Sequence, residues 1–168
     1  GGGRGTIETP DGTIVIQRYG GSAPVATADF TALAKAGYYD GVVFHRIIPG
    51  YIIQGGDGQY GRQPHVDASR VGSGSPGFTI PDEPVVGDYT RGIMAMARTS
   101  QPDSAGSQFF ICRDDLRGEL DKAGGYVIFG VVTEGMDVAD RIAAGPSSGS
   151  PDDQATDPVP MTRVTITP

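Results

Sequence analysis

The chain has 168 residues, of which 38 % are apolar and 20 % charged, and a net charge of −7. This predicts one soluble globular domain, residues 1–168, with a real core. The negative balance excludes nucleic-acid and anionic-membrane binding as the main activity, because there is no basic footprint, and no apolar run is long enough to insert into a membrane.

Residues 1–5, GGGRG, read as a flexible or artificial N-terminus. TIETPDGTIVIQRYG then reads as a hairpin, with Ile7, Ile14 and Ile16 on one face and a turn at Pro10, Asp11 and Gly12. SAPVATADFTALAKAG predicts a helix: Pro24 lies near its start, Ala26, Phe30, Leu33 and Ala34 form a stripe, and Gly37 is the stop. GVVFHRII and YIIQGG read as two strands joined around Pro49 and Gly50. Residues 58–77 lack periodicity and read as a long surface loop, a length usually functional or mobile. RGIMAMA, SQFFICR and YVIFGVVT read as strands, GMDVADRIAAG as a short helix, SSGSPDDQATDP as an acidic loop and MTRVTIT as a closing strand. Strands dominate, and two helices are too few to cover both faces of a parallel sheet. The pattern predicts a mainly β protein whose antiparallel sheet closes on itself and so removes its edges.

Much chemistry is absent. The sequence has no GxSxG, HExxH or P-loop. The glycines of GGDGQYG lack both the lysine and the helix that a phosphate cradle needs. One cysteine, Cys112, and two histidines, His45 and His65, stand in distant contexts, so no metal site is expected. Cys112 reads as a core residue and His45 as a structural one. No cofactor is expected.

Two residues stand out against this background. Arg46 and Gln54 lie inside apolar runs, in FHRIIPG and YIIQGGD. Strand alternation places Phe44, Arg46 and Ile48 on one face and Ile52 and Gln54 on one face of the next strand. Pairing through the Pro49–Gly50 connection brings Arg46 near Gln54. Taken alone, that pair reads more readily as a salt bridge or a solvated strand face.

The chain as a whole resembles the cyclophilin family of peptidyl-prolyl cis–trans isomerases. The resemblance is carried by FHRIIPGYIIQGGD, FTIPDE, GIMAMA, AGSQFFI, LDKAGGYVIFGVVTEGMDV and the closing strand, in the family's order from about Thr6 to Thr167. It implies a closed eight-stranded antiparallel barrel capped by two helices, with a substrate groove on its outer face. It implies isomerisation of X–Pro bonds in peptides and folding proteins, without metal or cofactor. Arg46 matches the family's catalytic arginine, and Gln54 the glutamine of the same motif. Tyr51, Ile52, Phe110 and Leu120 match the proline pocket, with Phe44 beside it. Ala97 and Arg98 match the strand that binds the peptide backbone, Gln108 the rim, and Tyr126 a position held by histidine or tyrosine. The implied partners are proline-containing peptides and unfolded or partly folded proteins, met by a monomer unless the chain serves a larger assembly. Compartment is open, cytoplasmic or exported, and the excess of arginine over lysine suggests a bacterial member.

Some features depart from the common pattern. Glu119 stands where many members carry a tryptophan that helps bind cyclosporin. The loop RTSQPDSAGSQ is one residue longer than the common form, the loop 58–77 is also long, and KAGGY is expanded. The long loop and the acidic loop keep open a second reading, a proline-peptide docking subunit with incidental turnover.

Overall fold

The computed structural model describes residues 3–123 and 125–168. β1 (Arg4–Thr9) and β2 (Gly12–Arg18) form the expected hairpin, and Ile7, Ile14 and Ile16 are buried on one face. β1 begins earlier than a loose N-terminus would allow. Arg4 and Gly5 pair with Thr167 and Ile166, so they belong to the sheet; residues 1 and 2 lie outside the described residues.

α1 (Pro24–Lys35) follows, and its end at Gly37, with φ +76°, is the predicted stop. Ala23 provides no side-chain cap for its start. The carboxylate of Glu83 does so from a distance, accepting the N–H groups of Val25 and Ala26, each at 2.9 Å.

The predicted strand GVVFHRII divides in two. β3 (Val42–Val43) pairs with β9 (Pro160–Met161), and β4 (Arg46–Ile47) pairs with β5 (Ile52–Gly55). The chain leaves one ribbon for the other at Phe44 and His45, so simple alternation fails there. β6 (Ile93–Met96), β7 (Phe109–Cys112), β8 (Ile128–Glu134), α3 (Met136–Ala143) and β10 (Arg163–Thr167) lie where their patterns placed them. A third helix, α2 (Arg117–Ala123), corrects the expectation of two.

The main sheet has eight strands in the order β10-β1-β2-β8-β6-β7-β5-β4, every neighbouring pair antiparallel. It is an open sheet, a correction to the closed barrel. Among the described residues β4 and β10 are not paired. β4 is only two residues long, and a loop takes its outer edge: Ile47 N–H donates to Asp153 O at 2.9 Å, and Ala155 N–H to His45 O at 2.8 Å. The β3–β9 ribbon links the two flanks instead, and Thr162 N–H donates to Glu8 O at 2.7 Å. Edge protection is thus achieved by covering rather than closure.

Each central strand buries both faces. Ile53, Met94, Met96, Phe109, Ile111 and Phe129 face the inner core with Phe30 and Tyr39. Ile52, Ala95, Phe110, Cys112 and Ile128 face a second, outer cluster, over which lie Leu116, just before α2, and Leu120 within it. That outer cluster is the floor of the candidate site. No helix among the described residues is long and apolar enough to cross a membrane.

Candidate active site

The tight connection at Pro49 and Gly50 sets the site's register. Gly50 adopts φ +63°, and Ile48 N–H donates to Ile52 O at 2.9 Å. Arg46 therefore lies opposite Gln54, Gln54 opposite Phe110, and Phe110 opposite Ala95. One row thus runs across four strands, from a cation through an amide to an aromatic ring, with neighbours about 5 Å apart.

The amide is fixed by a relay. Gln54 Nε2 donates to Gln108 Oε1 at 3.2 Å, and Gln108 Nε2 donates to the carbonyls of Gly72 and Gly74 at 2.9 and 3.1 Å. Asp57 pins those glycines. Its Oδ2 accepts the N–H groups of Gly72 and Gly74 at 2.8 and 2.9 Å, and its Oδ1 those of Gln59 and Tyr60, both at 3.0 Å. Asp57 is 0 % exposed, so four donors satisfy a buried carboxylate that would otherwise be costly. Nothing in the sequence reading singled it out. The signal was the aspartate closing YIIQGGD, directly before a glycine-rich loop.

Arg46 is half-buried, and among the described residues it forms no ion pair. Its guanidinium is not committed to a carboxylate. Beside it, Ile52, Phe110 and Leu120 are all but buried in the outer cluster, with Tyr51, Ala97 and Tyr126 packed against them. The Tyr126 ring meets Phe110 edge-on at 5.5 Å, and Arg98 lies 5.7 Å over Tyr126 while donating from Nε to Gly125 O at 2.9 Å. Tyr89 Oη donates to Tyr126 O at 2.6 Å, fixing that wall. Of the KAGGY stretch, residue 124 lies outside the described residues.

The structure thus gathers Arg46, Gln54, Tyr51, Ile52, Ala97, Arg98, Gln108, Phe110, Leu120 and Tyr126 around one face of the sheet. It does not gather Phe44. That ring is 0 % exposed in the inner core, 6.3 Å from Phe109, on the far side of the sheet. The chain's change of ribbon turns Phe44 inward, a correction to its placement beside Arg46. Glu119 is exposed on the first turn of α2. It is near enough to help raise the Tyr51 pKa, behind burial and Tyr126.

Cys112 and His45 are buried, as their contexts implied. Burial pushes the Cys112 thiol up to about 12, which leaves it no nucleophile. His45 is 5 % exposed, and its Nδ1 has no partner among the described residues. Burial lowers its pKa to about 4, with Asp57 opposing the shift and Arg46 adding to it. Among the described residues no group of three or more metal-ligating side chains assembles.

Two buried groups shifted in the acid range, His45 and Asp29, oppose each other. Unfolding returns His45 to its ordinary 6.5, so between pH 6.5 and 4 the unfolded state takes up a proton and stability falls as pH falls. Asp29, on α1, is raised by burial to about 6. Between pH 6 and its ordinary 3.8, the folded state holds a proton that the unfolded state gives up, so stability rises as pH falls. Each slope is at most about 1.4 kcal/mol per pH unit. Between pH 6 and 4 the contributions of this pair should nearly cancel. Asp29→Asn should leave the histidine's contribution unopposed and lose roughly 2 kcal/mol more than wild type on going from pH 6.5 to 4. Urea unfolding across that range checks this; parallel curves for the two proteins would mean that the opposing shifts are wrong.

Comparison with known proteins agrees with this architecture. The family profile of cyclophilin type peptidyl-prolyl cis-trans isomerase/CLD matches residues 5–166. A peptidyl-prolyl cis-trans isomerase of Acinetobacter baylyi is 40 % identical over 146 residues, covering 84 % of this chain and 72 % of that protein. One from Helicobacter pylori is 39 % identical over 144 residues, covering 83 % and 80 %. A cyclophilin type isomerase of Cryptosporidium parvum superposes with a TM-score of 0.82 at 29 % identity, covering 99 % of this chain and 98 % of the other. The same protein, solved in the presence of the dipeptide Ala-Pro, gives 0.81 at 30 % identity, covering 98 % and 99 %. Profile, sequence relatives and fold agree over nearly the whole chain, which belongs to the cyclophilin-type peptidyl-prolyl cis–trans isomerases.

Proposed function

We propose that this isomerase holds a prolyl ring against Ile52, Phe110 and Leu120 while Arg46 stabilises the twisted amide. An X–Pro bond turns slowly because amide resonance sets a barrier of roughly 18–20 kcal/mol. At the twisted geometry the prolyl nitrogen recovers its lone pair and accepts a hydrogen bond that neither planar isomer can accept. A donor fixed at that point binds the twisted state better than either planar one, and only such differential binding accelerates the step. No bond to the substrate forms or breaks, so neither nucleophile nor metal is required.

One observation carries this reading. Arg46 stands in the same cross-strand row as Gln54 and Phe110, at the edge of an apolar floor, with no ion pair among the described residues. The guanidinium offers a rigid fork of donors that a lysine lacks. Gln54, held by Gln108, supports its orientation or meets the substrate carbonyl. The backbones of Ala97 and Arg98 line the path of the peptide. Proline-containing peptides and partly folded proteins are the substrates, a reading supported by analogy with the Cryptosporidium relative solved in the presence of Ala-Pro. A protease-coupled isomerisation assay on a proline tetrapeptide, run on wild type and Arg46 variants, tests the reading.

Glu119 supplies a second test. It is exposed beside the buried Leu120, where an indole would present a broad apolar face and an N–H donor. A carboxylate there must lose water against an apolar cyclic ligand, which is unfavourable. Ordinary turnover with weak cyclosporin inhibition is expected, and Glu119→Trp should tighten inhibition about tenfold or more while turnover changes far less. Inhibition titrations on both proteins decide it; equally tight inhibition would place Glu119 away from the groove.

A further inference from the structure

Beside the proposed groove lies a cavity of about 590 Å³ that the isomerase mechanism does not use. Its walls come from two separate loops. Pro64, Val66 and Val71 line one side, Ala155 and Pro158 the other, and His45 lies between them. Gln154 Nε2 donates to Ala68 O at 2.9 Å and ties the two walls together. Among the described residues no Asp, Glu, Lys or Arg lines it. A site without fixed charge selects against charged ligands, since these would lose water with nothing in return. Its volume falls within the ~300–1,000 Å³ usual for ligand sites.

The cavity is continuous with the groove. A polar depression of about 370 Å³, lined by Arg46 and Gln54, shares His45, Val71 and Gln154 with it. That depression also shares Gln54, Gly72 and Ser73 with a third hollow beside Ala97 and Arg98. The three form one trough along the rim made by residues 71–75. A polypeptide lying over Arg46 and leaving the Ala97 end behind would cross the polar stretch with its backbone and then reach the apolar cavity. The crossing is short, and each extended residue spans ~3.3 Å.

We propose that this cavity is a secondary binding site for an uncharged apolar side chain of the client polypeptide, a short way along the chain from the isomerised bond on one flank. It would let the enzyme favour the apolar stretches that unfolded chains expose and folded ones bury. This inference rests on the groove assigned above, and its test separates the two.

The probes are a short proline tetrapeptide and two series extended by four residues, one at the N-terminal end and one at the C-terminal end. Each series carries Leu or Glu at the added positions. Ala68→Trp and Thr156→Trp, one from each wall, fill the cavity with an indole. The readout is the ratio of kcat/KM for extended to short peptide, in which a general loss of active protein cancels. Burial of a leucine sets the expected ratio at about tenfold, carried by KM, for one of the two series and for Leu only. Both Trp variants should bring that ratio close to one. Equal effects of Leu and Glu, no gain from either extension, or a gain that survives both variants overturns the proposal. Failure of the groove assignment would show differently, as Arg46→Ala turning over the short tetrapeptide at the wild-type rate.

Discussion

Arg46→Ala should lower kcat/KM on proline tetrapeptides by about a hundredfold or more, the scale seen when one preorganised donor is removed from a transition state. The fold should hardly notice. Arg46 is half-buried and makes no ion pair among the described residues, and substitutions of that kind usually change stability by no more than about 0.5 kcal/mol. The decisive observation is the combination of a lost rate and an unchanged melting curve. Arg46→Lys sharpens it. Lysine keeps the charge but replaces a planar fork with a mobile point donor, and it should recover little of the rate. If either variant isomerises near the wild-type rate, the twisted amide is stabilised elsewhere. If Arg46→Ala unfolds, the residue is structural and its rate effect says nothing about chemistry.

Phe110→Ala should fail in two ways together. The ring is 3 % exposed and packs edge-on against Tyr126 at 5.5 Å. Truncating a buried phenylalanine costs about 3–5 kcal/mol in transfer and cavity terms. For a domain of this size that is a fall of roughly 10 °C in Tm. The same cavity opens the floor of the proposed groove, so peptide affinity should fall as well. Phe110→Leu divides the two effects, since it fills most of the volume without the flat ring face. Melting curves and peptide-binding titrations on both variants are needed. A Phe110→Ala protein that melts normally and binds proline peptides at wild-type affinity would remove the ring from both roles.

Most strands could be read from the sequence: the outer ones alternate, as Ile7, Ile14 and Ile16 do, and the central ones are short apolar runs such as IMAM and FFIC set between polar stretches. The row of Arg46 and Gln54 proposed as catalytic was readable for a related reason: an arginine and a glutamine inside apolar runs violate the pattern that folding alone would select. What escaped the reading depended on distance along the chain. Phe44 follows the alternation of a strand that does not exist as one piece, since Val42–Val43 and Arg46–Ile47 pair with different partners. No local pattern announces a change of partner. The open sheet escaped similarly, because the edge of β4 is covered by residues more than a hundred positions away. α2 was within reach: Leu116 and Leu120 stand at helical spacing behind Asp114 and Asp115, although only seven residues are helical. Glu83 capping α1 across 58 residues was not, because a remote cap leaves no mark beside the helix it serves.

Asp57 has a consequence for how such an enzyme can diversify. It grips the chain at Gln59 and Tyr60 and again at Gly72 and Gly74, so the segment between begins and ends at one fixed post. Closing a longer loop between fixed ends costs only about 0.6 kcal/mol per doubling of its length. Residues 61–63 are also tied to the chain beside β3, since Val43 N–H donates to Gly61 O at 2.8 Å and Gln63 N–H to Gly41 O at 2.9 Å, so the stretch from residue 64 to 71 is the replaceable cassette. Its length and lettering can drift while the post keeps Gly72 and Gly74 where Gln108 needs them. A lineage, or a protein engineer, could exchange this cassette to choose new clients and leave the reaction chemistry as it was.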